Sequence, residues 1–347
     1  MLALLSGLLL AGLALAVMKW LRDAFARLDA DSQLRVSDLA FDDPTTVKRV
    51  PCPSVFGEPT KDLSIIIPAY NEEDRLPATL TETLSYLQRR RDRQGAYFTW
   101  EVIIVDDGSK DGTVRAAADF VRKHGFDAVR VLRLPRNRGK GYAVKSGMLC
   151  ARGQRLLMMD ADGATKVSDL ERLEAKLAEI SSCKEEPISS PARTRNGKTG
   201  VAAKATSSSG LGFVLGSRAD LQDAATAKRS AVRNFLMHGF HLLVMMVVGH
   251  QIRDTQCGFK LFSRSAAQQL YSNQRLQRWC FDVELVYLAQ RLKVPMAEVQ
   301  VNWTEIPGSK IRVTSMVHMA IELAMIRAGY SSGMWKVRGP EEVGKHS

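Results

Sequence analysis

Two carboxylates sit two positions apart in Asp160-Ala161-Asp162, directly after the apolar run 156–159 (LLMM). That run reads as a buried strand, and side chains two apart on a strand point to the same side. Like charges held so close are unfavourable unless a cation lies between them. Carboxylate oxygens are hard ligands suited to Mg2+ or Mn2+, and such a metal completes its shell with waters and substrate phosphates. Asp160 and Asp162 therefore read as a metal site facing a diphosphate. Two more clusters follow apolar runs in the same way. One is Pro68-Ala69-Tyr70-Asn71-Glu72-Glu73. The other is Asp106-Asp107-Gly108-Ser109-Lys110-Asp111-Gly112-Thr113. Taken singly, these also fit helix caps and a turn. Together they place acidic and aromatic groups at three strand ends, where open parallel sheets bind ligands.

The elements that must carry these loops alternate. Leu63–Pro68, Glu101–Val105, Val129–Leu134 and Arg155–Met159 are predicted strands. Residues 73–94, Thr113–Lys123 and Lys140–Ala151 are predicted helices between them. Such alternation implies an α/β fold with a mostly parallel sheet and helices on both faces. Residues 181–210 are rich in Ser, Lys, Gly and Ala, with too little apolar surface to offset their ordering entropy, and read as a disordered insert. Strand signal returns at Leu211–Ser217. Two apolar segments, 235–249 and 313–328, are too short to span a bilayer comfortably. Buried core helices and amphipathic helices at a membrane surface both fit them.

The net charge of +12 over 347 residues suits nucleic acid, anionic lipid or phosphorylated substrates, and no nucleic-acid recognition module is visible. Five scattered cysteines point to reduced thiols and a cytosol-facing body. Residues 2–18 are uncharged and almost wholly apolar, which fits a short spanning helix or the apolar core of a signal peptide. Lys19, Arg22 and Arg27 follow, and positive charge on that side keeps it cytoplasmic. The organisation expected is an anchor at 1–19, a juxtamembrane connector at 20–60, a nucleotide-sugar half at 61–180, the insert, an acceptor half at 211–312, and an amphipathic helix with tail at 313–347.

The series IIIPAYNEE, VIIVDDGSKDGT, RNRGKGYAVKSG and MDADGAT resembles the family-2 glycosyltransferases, which have the Rossmann-like GT-A fold. The resemblance implies that Pro68, Tyr70 and Glu72 line the base and ribose. It implies that Asp106 or Asp107 binds uracil or ribose, and that Asp160 and Asp162 hold the metal and the diphosphate. Asn71, Gly108, Ser109, Lys140 and Ala161 complete the expected nucleotide-sugar site. GSRAD, RDTQCGFKLF, RWCFDVEL and VNWTEIPGSK resemble the dolichyl-phosphate β-glucosyltransferases. That family implies UDP-glucose as donor, dolichyl phosphate as acceptor, and a single-pass protein at the cytosolic face of the endoplasmic reticulum. The product would be a β-linked lipid glucoside for lipid-linked oligosaccharide assembly in N-glycosylation. The nearest alternative is the same chemistry with GDP-mannose. A non-catalytic nucleotide-sugar-binding membrane protein and a processive polysaccharide synthase fit less well. In the latter's Q-x-x-R-W position the glutamine is missing, since the chain reads Arg275-Leu276-Gln277-Arg278-Trp279.

A phosphate acceptor has a second pKa of about 6 and needs no general base near neutrality. It needs cations instead. Arg218 is the first candidate, then Arg229 and Arg233, with Lys260 and Lys310 next. Each also fits a solvated surface charge. Asp254 lies where the family places an acidic residue near the acceptor, and is expected to position the cations or the glucose hydroxyls. A helix cap fits it equally. The residues expected to carry the transfer are thus Asp160, Asp162, Asp254 and Arg218, acting by single displacement with inversion.

Overall fold

The β-branched and leucine-rich runs form the centre of a single sheet. The computed structural model describes residues 2–182, 210–219, 231–306 and 313–343. Helix α1 (Leu2–Ser32) is followed by strands β1 (Ala40–Asp43) and β2 (Lys48–Pro51). Then come β3 (Lys61–Ala69), α2 (Leu76–Gln94), β4 (Trp100–Asp106), α3 (Thr113–His124), β5 (Val129–Arg133), α4 (Lys140–Leu149), β6 (Gly153–Met159) and α5 (Leu170–Ser182). The second half contributes β7 (Phe213–Ser217), α6 (Ala231–Val248), β8 (Phe259–Ser263), α7 (Arg264–Asn273), α8 (Phe281–Arg291), β9 (Met296–Gln300), α9 (Val313–Ser331) and α10 (Pro340–Val343).

The described strands lie in the order β2-β1-β5-β4-β3-β6-β8-β7-β9. The middle four, β5-β4-β3-β6, are parallel, because each is joined to the next through a crossover helix. Antiparallel pairs extend both sides: β1 on β5, and β8 between β6 and β7. Residues 40–51, placed above in the connector, thus add two strands to the sheet edge. The triplet's strand ends at Met159, as expected. Asp160 and Asp162 therefore lie in the turn beyond it.

Alternation along β3 divides the core. Leu63, Ile65 and Ile67 pack with α2, α3 and α5 through Leu80, Leu84, Val121 and Leu173. Ile66 faces the opposite side, with α4, α7 and α8. The end of α1 is held there too. Phe25 meets Trp335 edge-on at 5.1 Å, and Asp29 pairs with Arg275 at 2.5 Å. The predicted anchor falls within α1, and among the described residues no helix is long and apolar enough to cross a membrane.

Helices α6 and α9 pack against each other. Val244, Val248, Met319, Leu323 and Ile326 are buried in the core. Leu242, Met246, Val317 and Ile321 are all more than half exposed, at 52–61%. Nearly all of the predicted insert, together with Arg229, Lys310 and the side chain of Arg233, lies outside the described residues.

Candidate active site

The loops after β3 and β4 are laced into one rim. The backbone N–H of Asn71 donates to Ser109 Oγ at 2.9 Å, and Asn71 Oδ1 accepts from the Lys110 N–H at 2.9 Å. The Glu72 N–H donates to Thr113 Oγ1, and Glu73 Oε2 accepts from the Gly112 N–H. Asn71 adopts a positive φ of 52°, which asparagine tolerates better than most residues. The Glu72 side chain is clamped by Arg75 at 2.6 Å. Pro68 lies in register with Val105 on β4, and Tyr70 follows at the strand's end, half-buried. Gly108 has φ +70°, and a Cβ there would lie 2.7 Å from the Arg136 backbone, so this turn requires glycine.

Asp106 and Asp107 are both buried at the foot of this rim. The Asp107 oxygens accept the backbone N–H groups of Arg138 and Gly139, each at 2.8 Å. Asp107 thereby fixes the N-terminus of α4, whose first residue is Lys140. Asp106 receives the Ser109 N–H at 3.3 Å on both oxygens. Burial pushes both carboxyls above the usual carboxylate range, and these hydrogen bonds only partly counter it. Within the protein, therefore, the pair first builds the α4 entry and the loop turn.

Lys140 reaches across the crevice to the triplet. Its Nζ lies 2.6 Å from Asp160 Oδ1. The Asp160 N–H donates to the Gly258 carbonyl, and a Cβ at position 258 would strike the other carboxylate oxygen. Thr79 Oγ1 donates to the Ala161 carbonyl at 2.8 Å, and Asp162 Oδ1 accepts from the Ala164 N–H. Burial raises the Asp162 carboxyl, and the Asp160 charge beside it raises it further. That mutual repulsion is the condition under which a bound cation is favourable. Among the described residues no third His, Cys, Asp or Glu joins the two aspartates into a set of three. The pair fits a hard divalent ion whose remaining positions are filled by phosphate oxygens and water.

On the acceptor side, β7 delivers Arg218 and the loop before β8 delivers Asp254. Asp254 grips the guanidinium through Nε at 2.8 Å and Nη2 at 3.0 Å, and accepts the Arg218 N–H at 3.0 Å. Glu298 holds the Asp254 and Arg253 N–H groups. Burial opposes the charge on Asp254, but the hydrogen bonds and charge of Arg218 overcome it and hold its carboxyl below the usual range. Arg218 also lies over the half-buried Trp303 ring at 5.5 Å. Asp254 is thus the partner that orients Arg218.

Lys260 requires a correction. It is fully buried, paired with Asp282 at 2.7 Å and donating to the Cys257 carbonyl. An ammonium enclosed in this way cannot meet an acceptor phosphate. It lies on β8 between β6 and β7, which the local run FKLF does not reveal. Asp282 and Glu284 organise the fold behind the site. Glu284 takes the N–H groups of Arg275 and Leu276 and the Tyr330 hydroxyl. The Lys140–Asp160 contact and the Asp107 cap were not read from the sequence. The only available signal for them was the GKG after the asparagine-arginine turn.

Residues 64–182 match Glycosyl transferase family 2. The chain is 45% identical over 287 residues to a dolichyl-phosphate beta-glucosyltransferase of Mus musculus, covering 82% of this chain and 81% of that one. It is 46% identical over 298 residues to the protein of that name in Drosophila melanogaster, covering 86% and 84%. A crystal structure of glucosyl-3-phosphoglycerate synthase from Mycobacterium tuberculosis with uridine diphosphate aligns at 14% identity and a TM-score of 0.49. That alignment covers 79% of this chain and 81% of the other.

Proposed function

The chain belongs to the dolichyl-phosphate beta-glucosyltransferases of glycosyltransferase family 2, and on that premise we propose that it moves glucose from UDP-glucose to dolichyl phosphate with inversion. The observation that carries the reading is a carboxylate pair beside Lys140 on one side and an oriented guanidinium on the other. Asp160 and Asp162 supply oxygen ligands on the donor side. Arg218, locked by Asp254, supplies a planar donor on the acceptor side. Lysine and arginine charges at such a site suit two anionic reactants brought together.

In this reading each residue has a role. Tyr70, Asn71 and Glu72 form the rim that receives the nucleoside. Lys140 stands where it can meet the diphosphate. Arg218 holds the acceptor phosphate with one oxygen toward the sugar, and Asp254 keeps the guanidinium plane fixed. The acceptor is already mostly dianionic near neutral pH, so no side chain must remove a proton. A Mg2+ or Mn2+ held by Asp160 and Asp162 would neutralise the negative charge that develops on the leaving diphosphate.

The apolar faces of α6 and α9 support a lipid acceptor. Leu242, Met246, Val317 and Ile321 form an exposed apolar surface, which suits the edge of a bilayer. Leu15, Val17, Met18 and Trp20 on α1 add to the exposed apolar side chains. We read this protein as held at the endoplasmic reticulum membrane by the apolar start of α1, with its body in the cytosol. The deciding experiment is product analysis with labelled UDP-glucose and dolichyl phosphate, with and without chelator, with GDP-mannose in competition. Release of UDP and a β-linked lipid glucoside is the expected result. Asp160→Ala and Asp162→Ala should abolish metal-dependent transfer, and full activity in either would refute the metal assignment.

A further inference from the structure

A lysine already lies where the metal's charge is needed. Lys140 Nζ is 2.6 Å from Asp160 Oδ1, and the opposite oxygen of that carboxylate is closed off by Gly258. Asp160 is thus packed on that side, while its side chain stays 33% exposed. The lysine is also constrained, since Asp107 grips the N–H groups of the two residues before it. Behind it lies the buried Asp282, itself paired with Lys260. Burial opposes the Lys140 charge, but Asp160 and Asp282, and to a lesser degree Asp162, outweigh it.

We propose that Lys140 is a resident counter-cation that competes with the divalent metal for Asp160, and that it releases the carboxylate when the donor's diphosphate arrives. This rests on the reading of Asp160 and Asp162 as the metal site. The charges give the reason. Two carboxylates and one ammonium leave one net negative charge, and a divalent ion alone turns that into a net positive charge beside a held lysine. Close like charges inside a partly buried site repel strongly. A diphosphate restores the balance and gives the ammonium a new anionic partner. Metal and nucleotide therefore each strengthen binding of the other, by the same factor.

The test is Mn2+ binding to the purified full-length chain, followed by the electron spin resonance of free Mn2+, with and without UDP. In the unaltered chain, UDP should tighten Mn2+ binding about tenfold or more. Lys140→Met should bind Mn2+ alone about tenfold tighter than the unaltered chain, with a smaller further gain from UDP. Lys140→Arg keeps the charge and should stay near the unaltered values. The rise in melting temperature on adding Mn2+ should follow the same order, which confirms that the variants are folded. Lys140→Met with unchanged or weaker Mn2+ binding would overturn the proposal, as would Lys140→Arg behaving like Lys140→Met. Asp160→Asn should lose Mn2+ binding. If it binds Mn2+ normally, the metal site itself is misassigned and the proposal falls with it.

Discussion

Gly258→Ala tests the donor site without changing any charge. Gly258 immediately precedes β8, and its backbone is not left-handed, so alanine is allowed by its dihedral angles. The obstacle is Asp160. A Cβ at 258 would lie 1.9 Å from Oδ2 and 2.2 Å from Cγ, where ordinary van der Waals contact begins at 3.4 Å. The carboxylate must therefore retreat by about 1.5 Å. It has room to do so, because its side chain is 33% exposed toward the crevice. Overpacking of this kind costs roughly 1–3 kcal/mol of stability, which leaves the fold intact. A displacement on the order of 1 Å within a reacting constellation costs roughly 100-fold in rate. The assay is glucose transfer from labelled UDP-glucose to dolichyl phosphate at saturating substrates, with thermal melting as the check on folding. A folded variant retaining more than half the normal rate would refute the claim that Asp160's position governs the reaction.

Four further outcomes follow from the same geometry. Arg218→Lys keeps a charge but loses the planar fork, so KM for dolichyl phosphate should rise while KM for UDP-glucose stays put. Asp254→Asn should lower stability on the order of 3 kcal/mol in chemical denaturation, because it breaks a buried pair by removing one partner. Lys145 is fully buried by α1 and the 274 loop, and burial lowers its pKa to about 7. As a neutral amine it still donates to the Ser32 and Gln274 carbonyls at 2.9 and 2.7 Å. Between pH 7 and the ordinary lysine value of 10.5, the unfolded chain binds a proton there that the folded chain does not. Stability should therefore rise with pH across that window, by up to about 1.4 kcal/mol per unit, and Lys145→Met should flatten the rise in pH-dependent denaturation. Replacing Leu242, Met246, Val317 and Ile321 together by Gln should reduce co-sedimentation with anionic vesicles. Unchanged co-sedimentation would count against α6 and α9 as the lipid face.

The residue pattern alone marks the four central strands, their crossover helices and the three loops that end them. Those features are local: an apolar run such as IIIPA or VIIV has the composition of a strand buried on both faces, wherever it lies in the chain. It also placed Asp160 and Asp162 close together, because they are two residues apart. Only the tertiary structure decided what those groups touch. Asp107 caps α4 from 32 residues away, Asp254 orients Arg218 across 36, and Arg275 joins Asp29 across 246. Lys260 has the composition of a site lysine and is buried because β8 is inserted antiparallel beside β6. Residues 40–51 have little apolar run of their own, and become strands because β5 offers them an edge. Partners distant in sequence leave no periodicity, so charge pairing and burial depend on sheet order, which neighbouring residues do not encode.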